Sequence, residues 1–213
     1  SLGRFRDIRR CYPQAKMLMG IGNLTELTDV DSAGINVLLL GICQELGIGS
    51  VLTTQVINWA RTSVRECDLA RRLVHYAVTE QVLPKHVEPR LVVLRDTEIS
   101  EPTATELDEL TSSIRDQNYR IFAAGGELHV IRAGLHLHDR DPFNLFRALL
   151  KSGPEGQAPD HLVPDHSFYL GFEFCKAAIA LMLGKQYEQD ESLDWGYLTD
   201  PESQEHAFYP SDL

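Results

Sequence analysis

Met17-Leu18-Met19-Gly20-Ile21-Gly22-Asn23-Leu24-Thr25-Glu26-Leu27, with Asp31-Ser32-Ala33-Gly34-Ile35-Asn36 close behind, is the stretch whose reading decides the fold. Its apolar run predicts a buried strand over residues 16–22, ending in Gly-Asn before an amphipathic helix that begins near Asp31 or Ser32. Polar residues are thereby gathered at the carboxyl end of a strand. In parallel α/β folds the loops converge there and helix N-termini point into the crevice, so that end holds ligands.

Ile35, Leu38, Leu39, Ile42 and Leu46 recur at helical spacing, with Gly47 to close the helix. Ile48 to Thr53 predicts a second short strand, and residues 58–78 a long helix. Residues 4–12, before Pro13, predict a short leading helix. The first part of the chain thus reads as a helix and two strand-helix units. A closed (β/α)8 barrel needs eight units and about 200 residues or more.

Residues 79–90, with Pro84 and Pro89, are the linker candidate between a domain over 1–80 and another over 90–213. Beyond it Leu91-Val92-Val93-Leu94 predicts a third strand, and Thr103 to Gln117 an amphipathic helix. Ile121 to Ala124 and Leu128 to Ile131 flank Gly125-Gly126, a two-residue hairpin turn in which both positions need positive φ. Asp141-Pro142 opens a helix to about Lys151, residues 152–164 form a loop, and Ser167 to Leu183 is a last long helix closed by Gly184. The strands at Met17 to Ile21 and Ser50 to Thr53 would have open edges. They are expected either to merge with Leu91 to Leu94 in one mixed sheet or to be covered by self-association.

At 213 residues with a net charge of -11, the chain lacks the basic surface that phosphate-backbone binding requires, so nucleic acid is not an expected partner. Arg4, Arg6, Arg9 and Arg10, and Arg61, Arg65, Arg71 and Arg72, read as solvated helix faces. No apolar run approaches the ~18 residues of a membrane span, and a cytoplasmic location is expected. Cys11, Cys43, Cys67 and Cys175 show no Cys-x-x-Cys spacing and carry no expected chemistry. No P-loop, dinucleotide fingerprint or nucleophile-base pair is present.

Three blocks of sequence carry a resemblance: Gly22-Asn23-Leu24-Thr25-Glu26-Leu27-Thr28-Asp29; Thr53-Thr54-Gln55-Val56 with Trp59 and Val64-Arg65-Glu66; and Tyr169-Leu170-Gly171-x-Glu173-x-x-Lys176-Ala177. Together they resemble the dihydropteroate synthase-related family of the pterin-binding barrel superfamily, found in archaea and in bacteria with tetrahydromethanopterin-linked one-carbon metabolism. The Gly-Asn motif is similar to that of the methyltetrahydrofolate-dependent methyltransferase branch. The synthase branch's lysine would fall on Leu24, and its Arg-x-His is absent from Ser50 to Thr54.

The resemblance implies an α/β fold: the last strand-helix units of a pterin-binding TIM-type barrel, followed by a small α+β domain, as the C-terminal portion of a longer protein. It implies a pterin-binding protein of one-carbon metabolism without synthase chemistry, its ligand a reduced pterin of the tetrahydromethanopterin or tetrahydrofolate type. Two alternatives stay open. One is a non-catalytic interaction or assembly module; the other is a pterin synthase or methyltransferase whose preceding portion supplies the catalytic residues. Expected partners are a small-molecule pterin and either a second copy or that preceding portion.

Asn23 is the leading pterin-binding candidate, since an amide both donates to and accepts from ring nitrogens without carrying charge. Its plainer reading is a left-handed turn asparagine after Gly22. Asn36 joins it as a candidate contact, while Asp29 and Asp31 read as helix caps. Tyr169, Glu173 and Lys176 form a candidate site in the C-terminal domain, set against an ordinary surface i, i+3 ion pair. His129, His136 and His138, beside Asp139 and not far from His161 and His166, resemble a metal set but read more simply as a half-exposed strand, and no metal is expected.

Overall fold

The computed structural model describes residues 2–28 and 30–202. Strands β1 (Leu18–Gly20) and β2 (Ser50–Leu52) run parallel, Met19 opposite Val51, as a helical crossover dictates. The chain divides into two compact units, one ending at Leu91 and one beginning at Val92. Each has its own core.

In unit 1, helix α1 (Leu2–Cys11) precedes β1, and a short helix α2 (Gly22–Glu26) follows it directly. Helix α3 (Ser32–Glu45) crosses to β2, and a 3-10 turn (Asn58–Ala60) leads into α4 (Ser63–Glu80). Met19 and Ile21 pack with Leu39, Leu40 and Cys43 of α3 and Cys67 and Ala70 of α4. The outward side chains Leu18, Leu38 and Leu52 are exposed. Arg9 lies outside the expected solvated face: it donates to the carbonyls of Leu46 (2.8 Å), Gly47 (3.0 Å), Pro13 (2.7 Å) and Ala15 (3.0 Å), capping the end of α3. Asp31 occupies the N-cap of α3 without making a side-chain cap bond, and Asp29 lies outside the described residues.

Unit 2 is an antiparallel meander, β3 (Arg120–Ala124), β4 (Glu127–Arg132) and β5 (Leu135–Asp139), covered on both faces. Ile121, Leu128 and Val130 point to α6 (Pro142–Leu149) and α7 (Pro164–Leu183), meeting Leu145, Leu149, Leu170 and Phe174. Ala124 and Ile131 point the other way, to Leu107 of α5 (Ala104–Ser113) and the following Ile114. Gly125 and Gly126 form the expected turn with φ of +59° and +77°. Thr103 and Glu106 make a reciprocal capping box, and the Asp141 carboxylate accepts from Phe143 N at 2.8 Å.

The strand expected at Leu91 to Leu94 does not form, and with it the single mixed sheet is overturned. Pro89 starts a 3-10 turn (Pro89–Leu91) instead. Just beyond, Asp96 turns its polar groups to the end of α7, its N donating to the Gly184 carbonyl at 3.0 Å and its carboxylate accepting from Gln186 N at 2.7 Å. The molecule is mixed α/β with two separate small sheets. Among the described residues no helix is long and apolar enough to cross a membrane.

Gly22 seats α2 on the chain after β2, and a Cβ there would lie 2.9 Å from Thr54 N and 3.1 Å from Thr53 Cα. Backbone atoms cannot yield as a flexible side chain can. Gly22→Ala is therefore expected to destabilise the protein by about 1–3 kcal/mol, read from the denaturant midpoint; an unchanged midpoint would show that this contact relaxes freely.

Candidate functional site

The carboxyl ends of β1 and β2 are joined by contacts between α2 and residues 53–59. Ile21 N donates to the Leu52 carbonyl at 2.9 Å, the Thr54 hydroxyl donates to the Glu26 carboxylate, and Trp59 Nε1 donates to the Thr25 carbonyl at 3.0 Å. Thr25 is fully buried, its hydroxyl bonded to the Gly22 carbonyl at 2.9 Å. Asn23 stands exposed in the first turn of α2, with no side-chain hydrogen bond among the described residues. It lies inside a helix and outside the set of positive-φ residues, so the left-handed turn is overturned: α2 begins one residue earlier and supplies ordinary helical backbone.

Beneath this mouth sits a buried carboxylate. Glu66 accepts from Ser32 Oγ at 2.7 and 2.8 Å, from Asn36 Nδ2 at 2.7 Å and from Thr62 Oγ1 at 2.8 Å. Asn36 Nδ2 also contacts Ser63 Oγ at 3.1 Å, and Thr53 Oγ1 donates to the same hydroxyl at 3.2 Å. Asn36 is therefore a fully buried scaffold residue. Its Oδ1 has no partner among the described residues, and the Glu66 carboxylate fixes that orientation, since a flipped amide would set oxygen against oxygen. Burial first, then the charge of Glu66, raises the neighbouring Cys67 thiol to about 11 against a bond to Thr53, so it stays protonated.

Sequence reading missed Glu66 as the hub. Its signal was a charged residue in the buried stripe Ser63, Glu66, Cys67, Ala70 of α4, facing Ser32 and Asn36 spaced one turn apart on α3.

In unit 2 the structure brings Glu173 and Lys176 together at 2.7 Å as a buried pair, 2% and 8% exposed at the side chain, which overturns the surface ion pair. The cause is the tail after α7, which covers them. Tyr187 donates its hydroxyl to Glu173 at 2.7 Å, and Lys176 donates to the Glu191 carbonyl at 2.9 Å and the Glu202 carboxylate at 2.8 Å. Burial pulls the Lys176 ammonium down, but hydrogen bonds to Glu173 and Glu202 and their charges outweigh it, leaving it above its usual value. Tyr169 lies at the margin, donating to Asp190 at 2.6 Å and accepting from Gln189 at 2.7 Å. Lys185 is a second buried lysine, bonded to Asp96 and to the Asp194 carbonyl and 4.5 Å from the Trp195 ring centroid.

His129, His136 and His138 do share one sheet face, their ring centroids 5.3 to 5.7 Å apart. His129 Nε2 faces the Ala124 carbonyl at 3.2 Å, which can only accept, so Nε2 carries the proton and Nδ1 accepts from His136 Nε2 at 3.0 Å. Burial, more than any charge, holds both imidazoles below their usual range. The His129 lone pair is taken up by the His136 N–H, His136 Nδ1 lies 3.7 Å from the Asp108 carboxylate, and among the described residues no set of three or more His, Cys, Asp or Glu has a metal-holding arrangement.

No family model matches the chain, and no solved structure matches it. Over 188 residues it is 28% identical to an uncharacterized protein of Methanocaldococcus jannaschii. The match covers 83% of this chain and 36% of the relative, so the chain spans about a third of that protein's length.

Glu66→Ala is expected to lower stability by about 3 kcal/mol, because buried donors lose their acceptor; a calorimetric melt checks it, with Glu66→Gln falling between variant and wild type. Lys176→Met is expected to cost about 3–5 kcal/mol by stranding the Glu173 carboxylate in the core. Adding Glu173→Leu should return part of that loss in the same melt.

Proposed function

We propose that this chain is the C-terminal portion of a cytoplasmic, reduced-pterin-binding protein of one-carbon metabolism, of the dihydropteroate synthase-related kind, with its ligand at the carboxyl ends of β1 and β2. On this reading unit 1 supplies the last two strand-helix units of a TIM-type barrel. The observation that carries it lies at those strand ends, where Asn23 stands exposed and uncommitted in the first turn of α2 and Trp59, 41% exposed, is tethered by its own N–H to Thr25 of the same helix, above a fixed polar floor. Asn23 supplies a donor and an acceptor to ring nitrogens; Trp59 supplies a flat apolar face for a planar heterocycle.

The aminopyrimidine edge of a pterin presents adjacent parallel donors, best met by a carboxylate. Glu26 is held by Thr54 and Glu66 lies sealed beneath Ser32 and Asn36, so on this reading that carboxylate comes from earlier strands. The relative's greater length accords with such a portion. Synthase chemistry is not part of the proposal, since exposed Leu24 stands where that branch carries its lysine.

The interaction-module reading is favoured by one observation, an apolar groove of about 340 Å³ between α6 and α7 lined by Phe143, Phe146, Phe174, Cys175, Ile179 and Met182. Calorimetric titration of the full-length protein with tetrahydromethanopterin, tetrahydrofolate and their methyl derivatives separates the two. At least one is expected to bind, and Asn23→Ala to weaken it by about 1–3 kcal/mol. Equal affinity in a folded variant would remove Asn23 from the site; failure of every pterin to bind would leave the interaction module.

A further inference from the structure

Unit 2 holds a cluster that neither the pterin reading nor the Glu173 and Lys176 core uses. Tyr119, just ahead of β3, is buried at 5% exposure, and its hydroxyl lies 2.9 Å from His161 Nε2. The His161 and His166 rings stand 5.4 and 5.5 Å from the Tyr119 ring centroid, and the Arg132 guanidinium carbon is 5.9 Å from it. Four segments supply these groups: the lead into β3, the end of β4, the loop before α7, and the first turn of α7. His166 Nδ1 is directed at the His161 carbonyl at 3.2 Å, which fixes its proton there and ties loop to helix.

The electrostatics of the cluster turn on one arginine with an unmatched buried donor. Arg71, Arg72, Arg90 and Arg120 each have a carboxylate within 2.9 Å. Arg132 has none among the described residues. Its Nη1 donates to neutral oxygens, Gln117 Oε1 at 2.6 Å and the Ala133 carbonyl at 3.4 Å, and its Nε is buried without any acceptor. A guanidinium N–H buried beside an aromatic ring and left unmatched carries a desolvation cost that an incoming oxyanion removes. Burial, then the positive charges of Arg132 and His166, holds the His161 imidazole below its usual range against the pull of Asp160. Burial likewise keeps Tyr119 a phenol able to donate, opposed in part by Arg132.

We propose that Arg132, Tyr119, His161 and His166 form a binding site for a phosphate group. A planar carboxylate would be satisfied by the arginine alone, whereas a tetrahedral anion with three or more acceptor oxygens uses donors arriving from several directions. Arg132 supplies the fixed charge and the Nε–H; Tyr119 and His161, which share one hydrogen bond, leave one further donor between them; and His166, its Nδ1 proton held by the His161 carbonyl, offers Nε2–H as the imidazolium that a bound anion stabilises. His161 is exposed and His166 half-exposed, so the site opens to solvent on their side. The group comes either as free inorganic phosphate or on a phosphate monoester.

The test is calorimetric titration of the chain with inorganic phosphate, glycerol 3-phosphate and acetate, repeated on Arg132→Gln and His161→Gln. Saturable binding of phosphate or the monoester is expected, tighter than acetate. Each variant should weaken it roughly tenfold, the effect of losing one charge-assisted hydrogen bond, with an unchanged melting temperature. Tighter binding of the monoester assigns the group to an organic ligand, and tighter binding of inorganic phosphate assigns it to the free ion. Should Arg132→Gln fail to fold, His161→Gln, altered at an exposed position, carries the same comparison. The proposal is overturned if neither phosphate binds saturably, if both folded variants bind as the wild type does, or if acetate binds as tightly.

Discussion

A carboxylate sealed between two helices must be met by donors from both, or the helices cannot close. Glu66 imposes that requirement on unit 1. Ser32 and Asn36 answer it from α3, Thr62 from the start of α4, and Ser63 extends the network to Thr53 at the end of β2. The network fixes how far along each other α3 and α4 lie, and through them where the two strands end. Gly22 completes the arrangement by letting α2 rest on the backbone of Thr53 and Thr54. The mouth above is a consequence of a buried charge, not of loop sequence.

Unit 2 solves a similar problem with lysines. Its three-stranded sheet is too small to bury α7 on all sides, and the segment after Gly184 covers the remainder with Tyr187, Leu193 and Trp195. That segment has little regular structure, so side chains hold it. Lys176 and Lys185 reach from α7 and its end to carbonyls at Glu191 and Asp194, and Tyr187 returns a hydroxyl to Glu173. An apolar lysine stem and a charged tip suit this task, packing along the way and finishing on an acceptor.

What the sequence made legible was local backbone chemistry. Gly125-Gly126 specifies its turn because both positions need positive φ, Asp141-Pro142 specifies a helix start, and Gly184 a helix end, whatever surrounds them. Leu91 to Leu94 failed because being a strand depends on a partner, and Asp96 commits the chain to the end of α7. The i, i+3 spacing of Glu173 and Lys176 is the same on a surface as in a core; only the tail, carrying no periodic signal, decides between them. At the strand ends the position of Asn23 was readable from a single segment. The Glu66 network was not, since its partners lie 27 to 34 residues apart, and the Arg132 cluster, drawn from four segments, was less readable still.

The chain has two tryptophans, and the fold gives one to each unit. Trp59 is tied by its indole N–H to Thr25, while Trp195 lies beneath the Lys185 ammonium. An indole under a cation and an indole on a carbonyl sit in different local fields, so their emission responds to different events. Replacing either by phenylalanine leaves a single fluorophore reporting on one core, and the order in which the two halves of the molecule open under denaturant becomes an optical measurement on the intact chain.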